Sequence, residues 1–138
     1  MTNIIEMQDM RYLNLFGKTT KINTRYFFMY NMGMFFCVQG NQVSRAIGPS
    51  GKNARKLSEI FNRKVKIIPL PEGTNDAESF FRAIVEPVSF KNIEITPTEI
   101  TITAGSQNKA ALLGRNKRRL IELQKIAKTY FRRDLKII

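Results

Sequence analysis

The stretch Ala46-Ile47-Gly48-Pro49-Ser50-Gly51-Lys52-Asn53-Ala54-Arg55-Lys56-Leu57 decides the fold. It reads as the end of a short helix, a tight loop with glycine at each end, and the start of a second helix. Gly48 and Gly51 tolerate backbone angles that a side chain forbids, and they leave nothing between backbone and ligand. Lys52, Arg55 and Lys56 follow on the first turns of the second helix. The first N–H groups of that helix have no partner within it, and its dipole attracts anions. Bare backbone, free donors and adjoining cations suit a phosphate chain.

Outward from this loop, residues 4–16 predict a helix capped by Asn3, with Ile5, Met10, Leu13 and Phe16 on one face and Gly17 as its end. Residues 25–30 are dense in aromatics and predict a strand. Asn31-Met32-Gly33 is turn chemistry, and residues 34–39 predict the return strand of a hairpin. Asn41 or Ser44 is placed to cap the short helix that ends at Gly48. Ala54, Leu57 and Phe61 recur at helical spacing, so residues 52–62 predict an amphipathic helix. Residues 64–68 predict a strand. Pro69-Leu70-Pro71-Glu72-Gly73-Thr74-Asn75 is rich in breakers and predicts a short, stiff linker over 69–75.

The order then repeats. Asp76 is placed to cap a helix through Phe80, Phe81, Ile84 and Val85, stopped at Pro87. Residues 88–95 and 99–103 predict a hairpin around Pro97-Thr98, with alternating isoleucines giving one apolar face. Residues 106–113 predict a short helix ending at Gly114, 117–131 a longer one, and 135–138 a closing strand. The first glycines of the two loops stand 66 positions apart, at 48 and 114, and the phenylalanines before the last strands 70 apart, at 61 and 131. The difference is about one helical turn, so the second unit has a longer third helix. An internal repeat with matched landmarks carries more weight than either loop alone.

Charge points the same way. The 138 residues hold 23 Lys+Arg against 11 Asp+Glu, a formal net charge of +12, which calls for a polyanionic partner: nucleic acid first, an anionic membrane second. The composition is that of a folded chain, 43% hydrophobic and 25% charged. Cys37 is the single cysteine, inside an apolar run, and with no histidine to activate it an inert buried thiol is expected. The absence of histidine also excludes His-based zinc sites and Ser-His-Asp triads. No apolar run approaches the roughly 20 residues of a membrane span, and residues 1–6 lack the pattern of a signal peptide. A soluble, cytoplasmic protein without a cofactor is the expectation.

A helix–strand–strand–helix–loop–helix–strand unit with a Gly-x-x-Gly loop resembles the KH domain in its type II arrangement. Two such units joined by a short linker look like the archaeal relatives of the transcription factor NusA. The likeness is carried by Arg11-Tyr12-Leu13-Asn14-Leu15-Phe16, by Ala46-Ile47-Gly48-Pro49-Ser50-Gly51-Lys52-Asn53 and by Ala127-Lys128-Thr129-Tyr130-Phe131, and it covers essentially the whole chain. It implies an α+β protein with a first KH domain over 1–68 and a second over 76–138, each a three-stranded sheet packed against three helices. It implies a non-enzymatic binder of single-stranded RNA that acts in transcription termination or antitermination.

By that resemblance Gly48, Pro49, Ser50 and Gly51 lie at the RNA backbone, with Lys52, Asn53, Arg55 and Lys56 beside them. Val43, Ile47 and residues of the strand 34–39 form the apolar floor of a groove for bases. In the second unit Gly114, Arg115, Asn116 and Lys117 take the loop positions, with Arg118 and Arg119 alongside. Here Lys117 stands where the motif has glycine, so the second fingerprint is incomplete. The carboxylates Glu72, Asp76 and Glu78 are better explained by capping than by metal or acid–base chemistry. The aromatics Tyr26, Phe27, Phe28, Tyr30, Phe35 and Phe36 are expected mainly in core and inter-unit packing.

Other readings share these residues. Gly48–Gly51 alone is compatible with a plain helix–helix turn; repetition and the cations argue otherwise. A nucleotide-triphosphate loop fails because Ala46 stands where its first glycine is required and Asn53 where its hydroxyl is. A KH-type factor in ribosome biogenesis or RNA processing is the main alternative, and an adaptor for acidic protein segments is the third. A monomer is expected, with the two units packed to present one basic track. A contact with RNA polymerase or a transcription complex is not derivable, because the chain has no room for the further domains of bacterial NusA.

Overall fold

Two residues, Asn31 and Met32, turn the chain back on itself in the first sheet of the computed structural model, which describes residues 7–138. Both have positive φ, 51° and 66°, the signature of a two-residue hairpin turn whose twist matches the strands. The strands so joined are β1 (Tyr26–Tyr30) and β2 (Gly33–Val38), antiparallel, with Tyr30 opposite Gly33. The third strand, β3 (Val65–Pro69), lies parallel to β2, with Met34 opposite Val65. A parallel neighbour needs a crossover. Helices α2 (Val43–Ile47) and α3 (Lys52–Phe61) supply it.

The sheet order is β1-β2-β3, and α1 (Met7–Thr20) precedes it. Alternate residues of β2, Met34, Phe36 and Val38, join Phe16, Ala46, Leu57 and Ile67 in one core. Phe16 stacks on Phe36 with ring centroids 4.5 Å apart. Tyr12 packs against Phe27 and Phe61, which ties α1 to the sheet and to α3.

Gly17 does not end α1. The helix runs on to Thr20, because a glycine here leaves room for Asn23, whose Oδ1 lies 2.7 Å from where a Cβ would stand. The stop is made by Lys21, left-handed at φ 64°, and by the buried Thr20 hydroxyl, which donates to Phe16 O at 2.8 Å. The expected cap Asn3 and the apolar Ile5 lie outside the described residues.

The chain divides between Leu70 and Pro71 into two units. The expected linker over 69–75 begins too early. Pro69 is the last residue of β3, opposite Val38, and the Leu70 N–H donates to Val38 O at 2.7 Å. Asp76 does not cap the following helix with its side chain; its Oδ2 instead accepts the Glu72 N–H at 2.9 Å and closes the turn that leads in.

The second unit has the same order. Helix α4 (Ala77–Val85) is followed by β4 (Asn92–Ile95) and β5 (Glu99–Thr103), antiparallel, and β6 (Asp134–Ile137) lies parallel to β5. Helices α5 (Ser106–Leu113) and α6 (Arg118–Phe131) make the crossover. Ile100 and Ile102 are buried while Glu99, Thr101 and Thr103 are half-buried, the alternation of a sheet with one apolar face. Phe81 and Phe131 pack with ring centroids 5.8 Å apart. Among the described residues the protein is thus α+β, with two three-stranded sheets and six helices. No described helix is long and apolar enough to cross a membrane.

Candidate nucleic-acid interface

Helix α2 stops at Ile47 because Gly48 adopts φ 84°, ψ 166°. A Cβ there would stand 3.1 Å from Asn53 N and 3.0 Å from its side chain, so the helix start packs directly against bare backbone. Ser50 (φ 55°, ψ 28°) and Gly51 (φ 74°, ψ 19°) are both left-handed, and Lys52 returns to the helical region. The turn is closed by the Gly51 N–H donating to Gly48 O at 3.0 Å and the Lys52 N–H donating to Pro49 O. Arg55 Nη1 reaches back to donate to Ser50 O, bracing the loop from the next turn of α3.

The second loop repeats this backbone residue by residue. Gly114 has φ 76°, ψ 170°, Asn116 φ 56°, ψ 30°, and Lys117 φ 57°, ψ 26°. The Lys117 N–H donates to Gly114 O at 3.1 Å. The missing glycine has therefore not altered the loop; Lys117 takes the left-handed conformation despite its side chain, at a cost of about 1–2 kcal/mol.

Both loops deliver the chain to a helix start with no side-chain cap and no acidic residue in its first turn. Pro49, Ser50, Lys52, Arg55 and Lys56 are exposed in the first unit, and Arg115, Asn116, Lys117 and Arg118 in the second. The ion pairs Arg82–Glu78, Lys128–Asp134 and Lys136–Glu99 use none of these side chains. Cations at a helix N-terminus oppose the dipole, so each loop concentrates positive charge where the helix already has its positive end. An anion with spaced charges answers both the cations and the helix dipole.

The two sites differ in where the charge sits. The positions of Arg55 and Lys56 are held by Ile121 and Glu122 in the second unit, which carries its cations within the loop as Arg115 and Lys117. Two of the expected side-chain contacts to RNA are half-buried, unlike the cations Lys52 and Arg118 beside them. Asn53 and Arg119 occupy matching positions, half-buried beneath Gly48 and Gly114. Arg119 Nη1 donates to Ala111 O at 3.0 Å and holds α5 to α6.

The expected groove floor also changes. All of Gly33–Val38 is buried, and β2 is the central strand. The strand against which α2 packs is the edge strand β3, with Val43 and Ile47 half-buried on the helix. Phe35, Phe36 and Tyr30 are buried, and Phe28 stacks on Phe35 at 5.0 Å.

The chain is similar in fold to the crystal structure of APE1850, with a TM-score of 0.63 and 18% sequence identity, over 97% of this chain and 100% of that one. No protein-family model matches the chain, and no curated protein does.

Proposed function

We propose that this chain is a single-stranded RNA-binding protein of two type II KH units, similar to archaeal NusA-like factors, that holds nascent RNA during transcription termination or antitermination. The observation that carries the reading is the pair of loops with one backbone conformation, each ahead of an uncapped, acid-free helix start ringed by exposed cations. Ser50-Gly51 and Asn116-Lys117 make the same left-handed bend, which brings the cations of each loop to its helix start. Grip on the sugar–phosphate backbone leaves the bases free, which favours an unpaired strand over a duplex.

Two measurements test this. The purified chain is expected to capture members of a random single-stranded RNA pool and to bind duplex RNA of the same length more weakly; equal binding would remove the claim of a single-strand site. RNA crosslinked to the protein in cells is expected to be nascent transcript. Recovery of ribosomal RNA alone would move the role to ribosome biogenesis.

A further inference from the structure

The pairing of β1 with β2 ends at Tyr26 opposite Cys37. Beyond it the two segments separate: residues 23–25 approach from α1, while Gln39 starts the turn Gly40–Gln42 that leads into α2. Between them lies a cavity of about 510 Å³, lined by first-unit residues that include none of the glycine loop. Val38 and Leu70 give it an apolar wall and Tyr26 an aromatic ring. Asn23, Gln39, Gln42 and Arg25 are among the other lining residues, none of which carries a carboxylate. Among the described residues these four side chains make no hydrogen bond.

The cleft is already built. Thr24 Oγ1 donates to Cys37 O at 2.6 Å and accepts the Tyr26 N–H at 3.2 Å, which pins one wall to β2. The second unit differs at the matching positions. There the positions of Asn23 and Gln42 are Ser89 and Asn108, and Asn108 Nδ2 donates to Ser89 Oγ at 3.3 Å. Gln39 is replaced by Gly105, and the Lys91 side chain, at the position of Arg25, lies across it, with Cε 2.9 Å from where a Cβ would stand. In the first unit the matching amides of Asn23 and Gln42 make no such bond among the described residues.

Each carboxamide presents a donor and an acceptor side by side, the complement of a base edge. An aromatic ring offers a stacking surface, and arginine matches a phosphate. An apolar ligand would strand the amides, and a metal ion would find no carboxylate. The volume is that of an ordinary small-molecule site. We propose that this cleft takes one unpaired ribonucleotide, its base edge on the carboxamides of Asn23, Gln39 and Gln42 and its phosphate on Arg25. The choice of a ribonucleotide rests on the RNA-binding reading. The cleft then gives the first unit a base preference that a loop gripping backbone cannot supply.

The test is an NMR titration of the isotope-labelled full chain with the four ribonucleoside 5′-monophosphates, and with ribose 5-phosphate as the base-free control. Amide shifts are expected at residues 23–26 and 37–42, with affinities that differ among bases by about threefold to tenfold, the scale of one hydrogen bond. Gln39→Ala with Gln42→Ala is expected to erase that difference, and ribose 5-phosphate to leave the amides of residues 37–42 in place. No shifts there, the same shifts with ribose 5-phosphate, or an unchanged base preference in the double variant would overturn the proposal. Gly51→Asp alters the loop and leaves the cleft intact. A titration that persists in this variant while RNA capture is lost separates the cleft from the loop; a cleft that responds in a wild-type chain that captures no RNA would sink the loop reading alone.

Discussion

Gly51 and Lys117 hold the same backbone position, left-handed at φ 74° and φ 57°, each as the residue that hands its loop to a helix. Glycine adopts that conformation freely; lysine does so against its Cβ. Lys117→Gly is therefore expected to raise the unfolding free energy by about 0.5–1 kcal/mol, the relief of strain less the extra freedom of the unfolded chain. Denaturant unfolding reads this. The same variant removes a loop cation, so the slope of log affinity for single-stranded RNA against log salt should flatten by about 0.7. A more stable protein with an unchanged slope would show that Lys117 does not meet a phosphate.

Arg118 and Arg119 are neighbours with different duties. Arg118 is exposed, whereas Arg119 lies under Gly114 and donates to Ala111 O. Arg119→Ala should cost about 1–2 kcal/mol of stability, from a lost hydrogen bond and lost packing of its stem. Arg118→Ala should leave stability within about 0.5 kcal/mol and flatten the salt slope instead. Paired unfolding and salt titrations separate the two, and a reversed pattern would reassign them.

The hairpin at Asn31-Met32 carries a similar strain. Met32 is 72% exposed and left-handed, so its side chain is not what keeps it there. Met32→Gly creates Asn-Gly, the sequence such turns favour, and should stabilise the fold by about 1 kcal/mol. The contact from Arg63 Nη1 to Met32 O uses only backbone and survives the change. A loss of stability would mean that the methionine packs against something after all.

Much of the element order was legible because alternation and helical spacing are local. The runs around Phe35 and Ile100 read as strands, and the repeat at Gly48 and Gly114 aligned the two units. Three failures share a physical cause: a residue type with two uses. Gly17 reads as a helix end, yet it serves as a clearance for Asn23. Asp76 reads as a cap, yet its carboxylate closes a turn with the Glu72 N–H. Pro69 reads as a linker, yet it ends an edge strand, where a missing N–H is tolerated. The roles of Asn53 and Arg119 depend on which way a side chain folds beneath a glycine, and spacing carries no such information. Lys117 marked a broken motif in sequence while the backbone kept the motif's shape. The cleft at Gln39 and Gln42 arises where two strands part, a tertiary feature with no local pattern.

The most direct test places a carboxylate in each loop without changing its shape. Gly51→Asp and Asn116→Asp put aspartate at left-handed positions that this residue tolerates. At Gly51 a new Cβ meets only the mobile end of Arg55, at 3.3 Å. With both substitutions the unfolding midpoint should hold, while affinity for a single-stranded RNA pool should fall at least about a hundredfold, some tenfold per loop. An undiminished affinity in the folded double variant would contradict the assignment of these two loops to the phosphate chain.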